Sequence, residues 1–275
     1  MTERLALVGH PVGHSRSPAM MAAAFRALDL DARYELRDTP PGALGATLAS
    51  LWADGYLGAN VTVPWKAAAR ALVGEVDALA ERCGAVNTLV RAPGGFVGTN
   101  TDVAGFARAL AAAGASLAGH RVVVLGAGGA ARAVVAAADL GGAASVTVLA
   151  RDAARAGALG PSAAFGTADA RDAVGRATLV VQATPCGMRG GPPGEALVAA
   201  VDLGGCPRGA LAVDLVYAPR ETTWMQRARA AGLEVLAGAG LEMLVQQGAE
   251  AFERWFGRAA PVGVMRSAAD VADRG

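Results

Sequence analysis

The chain alternates short apolar runs with longer stretches in which apolar residues recur at helical spacing. Runs in the second half, such as residues 121–125 and 178–181, are continuous and rich in β-branched residues. Such runs are typical of strands that are buried on both faces of a parallel sheet. The predicted strands are residues 5–8, 33–36, 58–63, 84–90, 96–102, 121–125, 145–149, 178–181, 211–216 and 233–236. Helical patterns lie between them, so the chain is predicted to be α/β, with a parallel sheet in its second half.

Helical spacing also marks most of the intervening segments. Predicted helices cover residues 18–28, 44–52, 67–72, 75–82, 103–113, 153–159 and 241–256. The strands at 84–90 and 96–102 are expected to pair as a hairpin across residues 93–95. A stretch of small residues at 113–116 marks a domain boundary.

The composition excludes several classes of protein. The 275 residues carry a net charge of +1 without a basic block, which argues against a nucleic-acid partner. No apolar run reaches the ~18 residues of a spanning helix, so no membrane partner is expected. The cysteines form no CxxC pair and the histidines are scattered, so no metal site is expected. The N-terminal residues do not read as a secretory signal, and a cytoplasmic location is expected.

Lys66 is the only lysine in the chain, and it follows the predicted strand at residues 58–63. Every other strong base is an arginine, so surface charge does not explain this one exception. A desolvated lysine, unlike an arginine, can release its proton near neutral pH and act in acid–base chemistry. Strand ends are also where α/β proteins form their sites. Lys66 is therefore a candidate acid–base residue, and a chance lysine on a helix face is the alternative.

Two serines precede the first predicted helix. Pro18 suits the first position of that helix, with Ser17 as its N-cap. The hydroxyls of Ser15 and Ser17, together with N–H groups at a helix start, can also hold an anionic group such as a carboxylate. The two roles are compatible, and both are kept as predictions.

The three asparagines of the chain, Asn60, Asn87 and Asn100, all lie in or near predicted strand ends. Asp102 follows the last of them and is predicted to cap the helix at residues 103–113. A capping role for one aspartate does not explain why polar residues recur at these strand ends. The recurrence indicates a site.

The strand at residues 121–125 runs directly into Gly126-Ala127-Gly128-Gly129-Ala130-Ala131, and a helix follows to residue 140. This is G-x-G-x-x-A in the strand–turn–helix context that makes the motif informative. Gly126 permits a tight turn, and Gly128 lets the backbone approach a pyrophosphate at the helix N-terminus. The motif predicts a dinucleotide site.

The next strand ends where NAD enzymes place an acidic residue, but Ala150 and Arg151 stand there, with Arg155 one turn later. A positive charge at this point suits the 2′-phosphate of NADP, and a solvated strand-end charge is the alternative. Asp152 weakens a preference for NADP over NAD if it points into the pocket or pairs with Arg151. It is predicted to cap the helix at residues 153–159 and to face solvent.

Taken in order, these motifs resemble those of the shikimate dehydrogenase family over nearly the whole chain. The matches are S-x-S-P at 15–18, N-V-T-x-P-x-K at 60–66, A-x-N-T at 85–88, N-T-D at 100–102, G-A-G-G-A at 126–130, the tyrosine of 214–217 and M-L-x-x-Q at 243–247. Two segments depart from the family. Residues 150–152 read A-R-D where the family has N-R-T or N-R-S, and residues 182–184 read Q-A-T where it has N-A-T.

The resemblance implies two α/β domains with a cleft between them: a substrate domain of residues 1–104 with 240–275, and a Rossmann-type NADP-binding domain of residues 105–239. It implies reversible NADP-dependent reduction of 3-dehydroshikimate to shikimate, with Lys66 and Asp102 as the catalytic pair. The implied substrate-binding residues are Ser15, Ser17, Thr62, Asn87, Tyr217 and Gln247. The implied NADP contacts are Gly126, Ala127, Gly128, Gly129, Ala130, Ala150, Arg151, Arg155, Leu215 and Gly240.

Some alternatives stay open. A quinate/shikimate or aminoshikimate dehydrogenase would share nearly every motif while using another polyol or NAD. A catalytically silent dinucleotide sensor would share the glycine turn, although the single Lys66 argues against it. The sequence does not define the oligomeric state, and a homodimer is one option.

Overall fold

The computed structural model describes residues 2–271, and the chain divides into two compact units. One unit comprises Met1–Gly105 with Leu244–Gly275, and the other comprises Phe106–Met243. Each unit contains a six-stranded sheet of its own. The predicted α/β fold class is confirmed. None of the helices within residues 2–271 is long and apolar enough to cross a membrane.

Strands and helices alternate through most of the chain. The strands are β1 (Glu3–Gly9), β2 (Ala32–Asp38), β3 (Gly58–Val61), β4 (Glu75–Val76), β5 (Thr88–Ala92), β6 (Gly95–Thr99), β7 (Arg121–Leu125), β8 (Ser145–Ala150), β9 (Ser162–Ala164), β10 (Leu179–Gln182), β11 (Leu211–Asp214) and β12 (Glu234–Val235). The α-helices are α1 (Ser17–Ala27), α2 (Leu44–Ala53), α3 (Lys66–Leu72), α4 (Ala78–Cys83), α5 (Asp102–Ala112), α6 (Gly129–Leu140), α7 (Ala153–Gly157), α8 (Ala168–Arg176), α9 (Gly194–Ala200), α10 (Thr223–Ala230), α11 (Ala239–Phe256) and α12 (Val262–Val271).

The sheet of the first unit is mixed, in the order β2-β1-β3-β5-β6-β4. Strands β2, β1 and β3 are parallel, whereas β5 runs antiparallel to β3 and forms the predicted hairpin with β6. The helical prediction for residues 75–82 is wrong at its start. Residues 75–76 form β4 beside β6, and α4 begins only after Asp77, whose carboxylate accepts the Ala80 N–H at 2.9 Å. An Asp in this position ends the preceding segment and starts a helix.

The sheet of the second unit is entirely parallel, as predicted, in the order β9-β8-β7-β10-β11-β12. Its strand order reverses between β7 and β10, which is the doubly wound arrangement that binds dinucleotides at the switch point. Val180 and Val181 in the central strand β10 are completely buried, as their continuous apolar run predicts.

The chain returns to the first unit inside α11, at Leu244. The first turn of α11 belongs to the second unit because Gly240 packs on the end of β11. A Cβ at Gly240 would lie 2.8 Å from the carbonyl oxygens of Asp214 and Leu215, so only glycine allows this approach.

Candidate active site

The first unit brings Lys66 and Asp102 into direct contact. Lys66 begins α3 and Asp102 begins α5. The Lys66 Nζ donates a hydrogen bond to Oδ2 of Asp102 at 2.6 Å. The two side chains are only 15% and 5% exposed, so the ion pair is largely withdrawn from water. The desolvation cost of a buried ion pair offsets most of its attraction, so its presence favours a chemical role over a stabilising one.

Amide side chains hold the start of α5. The Oδ1 atom of Asn100 accepts the Asp102 N–H at 3.1 Å, and the Oδ1 atom of Asn87 accepts the Thr101 N–H at 2.7 Å. These bonds satisfy donors that a helix start leaves open. The prediction that Asp102 is the N-cap is wrong: Asp102 is the first helical residue, and its carboxylate is engaged by Lys66.

A buried polar layer continues from α5 towards β2. Asn60 is 5% exposed, and its Nδ2 donates to the Thr88 hydroxyl at 3.0 Å. The Thr88 hydroxyl donates in turn to Oδ1 of Asn87, also at 3.0 Å. On the other side, the Tyr34 hydroxyl donates to Oδ1 of Asn60 at 2.7 Å. Burial raises the pKa of Tyr34 far above its usual range, and a hydrogen bond with Ser17 opposes this to a smaller extent.

Ser15 and Ser17 lie at the start of α1. The helix begins at Ser17, and Arg16 occupies the N-cap position without a side-chain capping bond. The predicted N-cap role of Ser17 is therefore wrong. The Oγ atom of Ser15 accepts the Ser17 N–H at 3.2 Å instead, which lets the helix start one residue earlier. Pro18 fits as the second helical residue because an N–H there has no partner within the helix.

Two glycines bring Thr62 and Gln247 close to their neighbours. A Cβ at Gly9 would lie 2.4 Å from Cγ2 of Thr62, and a Cβ at Gly105 would lie 2.8 Å from Cβ of Gln247. Gly105 follows Asp102 by one turn of α5, so Gln247 packs beside the helix start that carries the carboxylate. A larger residue at either glycine would displace Thr62 or Gln247.

A cavity of about 340 Å³ lies in the second unit. Its lining consists of Gly126, Ala127, Gly128, Ala150, Arg151, Asp152, Arg155, Phe165, Thr184, Pro185, Cys186, Pro192, Ala196, Leu197 and Ala200. Six of the predicted NADP contacts are among these residues. The other four lie outside this lining: Gly129 and Ala130 form the first turn of α6, and Leu215 packs against Gly240.

The turn after β7 has the backbone that a phosphate group requires. Gly126 has φ +111°, a left-handed conformation, and a Cβ there would lie 3.2 Å from the Ala183 carbonyl oxygen. At Gly128 a Cβ would meet no atom within 4 Å, so this backbone is open to an approaching ligand. The N-terminus of the twelve-residue helix α6 follows directly, and helix N-termini favour anions. The chain at this turn therefore fits a dinucleotide pyrophosphate.

Three charged residues, Arg151, Asp152 and Arg155, are among those that line this cavity. Asp152 is the N-cap of α7, and its Oδ1 atom accepts the Arg155 N–H at 3.1 Å. The capping prediction for Asp152 is confirmed, although the residue also contributes to the cavity lining. Within residues 2–271, the guanidinium groups of Arg151 and Arg155 form no ion pair. Asp152 therefore does not occupy the Arg151 guanidinium, which stays available to a ligand.

Asp214, which ends β11, was not among the predicted site residues. It is 3% exposed, accepts the Thr222 hydroxyl at 2.6 Å and accepts the Val216 N–H at 2.9 Å. Burial raises its pKa to about 6, against the effect of these two hydrogen bonds. By accepting the Val216 N–H, the carboxylate holds the backbone of the segment that leads to the half-buried Tyr217. An aspartate at the end of a buried apolar run was the signal in the sequence.

The doubly wound sheet, the glycine turn at its switch point and the two arginines define a dinucleotide-binding unit, and the other unit contributes a lysine–carboxylate pair. Together these features place the chain in the class of dinucleotide-dependent dehydrogenases. The family model described as shikimate dehydrogenase substrate binding domain matches residues 7–89, and the one described as shikimate 5′-dehydrogenase C-terminal domain matches residues 240–269.

A shikimate dehydrogenase (NADP(+)) of Symbiobacterium thermophilum is 43% identical over 98% of this chain and 95% of its own. The crystal structure of shikimate 5-dehydrogenase from Thermus thermophilus, in complex with NADP(H) and shikimate, is 40% identical with a TM-score of 0.84, covering 98% of this chain and 100% of that one. A quinate dehydrogenase from Corynebacterium glutamicum in complex with NAD is 34% identical with a TM-score of 0.82, covering 97% and 98%. The chain belongs to the shikimate dehydrogenase family.

Proposed function

We propose that this protein catalyses the reversible NADP-dependent reduction of 3-dehydroshikimate to shikimate in the biosynthesis of aromatic amino acids. The observation that carries the proposal is the contact between Lys66 and Asp102, buried and 2.6 Å long, in a chain of this family. The NADP(H)- and shikimate-bound relative at 40% identity supports both the cofactor and the substrate.

Lys66 acts on the oxygen of the reacting carbonyl. NADPH supplies the hydride when it is bound. An ammonium group has three N–H donors, and the Lys66 Nζ uses one of them on Asp102. The remaining donors are available to the oxygen as negative charge develops on it, and one of them delivers the proton. Asp102 orients the lysine, and Asn100 in turn fixes the helix start from which Asp102 projects.

The first unit is proposed to be the substrate domain. Ser15 and Ser17 hold the substrate carboxylate, and the further contacts that this unit supplies come from residues that the family motifs identify: Thr62, Asn87 and Gln247. Tyr217, the sixth implied substrate contact, belongs to the second unit. The packing of Gln247 beside the start of α5 supports its place in this set. Asn87 is 2% exposed and bonded to its neighbours, so much of its contribution is to hold them in place.

The second unit is proposed to bind NADP. Gly126 to Ala130 accommodate the pyrophosphate at the start of α6, with Ala150, Leu215 and Gly240 as further contacts. Arg151 and Arg155 are free to bind the 2′-phosphate. Guanidinium groups suit this task because they present forked donors to phosphate oxygens.

One absorbance experiment tests this proposal. The purified protein is given shikimate or quinate together with NADP or NAD, and the reduced nicotinamide band is followed. Shikimate with NADP should give the highest kcat/KM of the four pairs. A higher value for quinate with NAD would favour the alternative represented by the quinate dehydrogenase relative. No turnover with any pair, despite measurable cofactor binding, would favour the sensor alternative.

A cytoplasmic location and a homodimer are also proposed. The thiols of Cys186 and Cys206 are free, which suits a reducing compartment. Cell fractionation tests the location, and sedimentation velocity tests whether the protein is a dimer.

A further inference from the structure

We propose that Asp152 is a specificity-determining residue that weakens the preference of this site for a 2′-phosphorylated nucleotide over an unphosphorylated one. The inference rests on the proposed cofactor site. It starts from the position of Asp152, which lines the cavity together with Arg151 and Arg155. Two cations and one anion therefore compete at the position that would receive the ribose 2′-substituent.

The Asp152 carboxylate is held in place, whereas the two guanidinium groups are not. Its Oδ1 atom accepts the Arg155 N–H as the N-cap of α7. Within residues 2–271 its Oδ2 atom has no hydrogen-bond partner, and Asp152 forms no ion pair. The two arginine side chains are exposed and pair with no other described residue, so they can adapt to a phosphate or turn away. The negative charge is therefore the fixed electrostatic feature of this part of the cavity.

Helix capping does not require this charge. Serine, threonine and asparagine cap helices about as well as aspartate. An uncharged cap would keep α7 in place and leave the arginines unopposed. The aspartate adds two things that the neutral caps lack: repulsion of a dianionic phosphate, and an anionic acceptor for an unphosphorylated ribose hydroxyl.

The expected effect is moderate because Asp152 is exposed. Two unit charges about 4 Å apart in water interact strongly enough to change an equilibrium constant about fivefold, and salt screens this further. We therefore expect removal of the Asp152 charge to raise selectivity for the 2′-phosphate by about fivefold at low ionic strength. The change should shrink in about 0.5 M salt.

Calorimetric titration with two probes separates this effect from catalysis. Adenosine 2′,5′-bisphosphate carries the 2′-phosphate and AMP lacks it, and the ratio of their Kd values is the readout. Asp152→Asn keeps the size and the capping oxygen and removes the charge. Asp202→Asn is the matched control, since Asp202 is also exposed and caps a short helix (Leu203–Gly205), but it lies outside the cavity lining.

In Asp152→Asn, the Kd of AMP divided by the Kd of the bisphosphate should rise about fivefold. In Asp202→Asn, this ratio should stay unchanged. The ratio of kcat/KM for NADPH and NADH should move in the same direction. An unchanged ratio in Asp152→Asn, or equal shifts in both variants, overturns the proposal. Nucleotide binding without turnover of shikimate would instead refute the proposed reaction and leave this inference standing. Failure to bind either nucleotide would overturn the cofactor site and this inference together.

Discussion

Removing the Lys66 ammonium group should lower both the free energy of unfolding and kcat. A double-mutant cycle with Asp102 can separate the two effects. We propose to compare Lys66→Met, Asp102→Asn and the double variant with the unchanged protein. Methionine keeps most of the volume of the lysine stem, and asparagine keeps the shape of aspartate. The changes therefore remove charge without opening a large cavity.

The stability effect follows from the burial of the pair. Asp102 is 5% exposed, so Lys66→Met leaves a buried carboxylate without its cation. Breaking a buried pair on one side costs about 3–5 kcal/mol, and we expect the lower end because Lys66 itself is 15% exposed. Asp102→Asn should cost less, because the freed lysine can turn towards water. The double variant should be more stable than Lys66→Met, since no charge is then left unpaired.

Unlike the stability, kcat should not recover in the double variant. A positioned acid–base group contributes about 10²–10⁴ in rate, so Lys66→Met should lower kcat by that factor. The double variant should remain as slow as Lys66→Met, because residues that act as a unit are not additive. Urea unfolding gives the stabilities, and the absorbance of the nicotinamide with saturating shikimate gives kcat.

Arg176→Met is the matched control for this cycle. Arg176 forms an ion pair with Asp172, but the two side chains are 68% and 60% exposed. A surface pair of this kind contributes about 0.3–0.5 kcal/mol, so its loss should leave both stability and kcat nearly unchanged. If Lys66→Met keeps kcat within a few-fold of the unchanged protein, Lys66 is not the acid–base group. If it costs no more stability than Arg176→Met, the pair is not buried in solution.

Three further predictions concern single sites. Ser15→Ala with Ser17→Ala should raise KM for shikimate by more than about tenfold with little change in kcat, since each hydrogen bond to a charged group contributes roughly 1.5–3 kcal/mol. An unchanged KM together with a lower melting temperature would mean that the two serines have only a structural role. Arg151→Ala should lower the NADPH-to-NADH ratio of kcat/KM by about tenfold or more, and a constant ratio would assign the phosphate to another residue. Asp214 has its pKa raised by burial to about 6, so the stability it contributes is complete below about pH 4 and is lost as the pH rises through about 6. The unfolding free energy of the unchanged protein, relative to Asp214→Asn, should therefore fall by about 3 kcal/mol between about pH 4 and pH 7, whereas parallel pH curves would contradict the burial argument.

The second unit could be predicted more fully than the first because its strands carry a strong pattern. The runs that became β7 and β10 are β-branched and buried on both faces, and the glycine turn follows β7 directly. The short strand β9, by contrast, consists only of Ser-Ala-Ala, and β4 has just two residues. Such segments become strands by pairing with β8 and β6, and no local pattern reveals that pairing.

The helix starts show a second limit of sequence reasoning. At Asp152 the predicted cap is correct, because no other partner competes for its carboxylate within the described part of the chain. At Asp102 it is wrong, because Lys66, 36 residues away, binds the carboxylate. At Ser17 it is wrong because Ser15 supplies the acceptor for its N–H. Capping propensity predicts which residues suit a helix start, but tertiary partners decide which of them performs the capping.

The placement of the three asparagines can be explained by the buried layer beneath Lys66 and Asp102. Asn60 accepts a hydrogen bond on one side of its amide and donates on the other, and Asn100 does the same. Asn87 accepts from two residues and also donates. An aspartate would lack the donor, and a buried polar partner left unsatisfied costs about 1–3 kcal/mol. A chain rich in alanine and glycine therefore uses asparagine only where a buried strand end needs both a donor and an acceptor. It follows that replacing Asn60 or Asn100, neither of which is a proposed ligand contact, should act on the geometry of the catalytic pair.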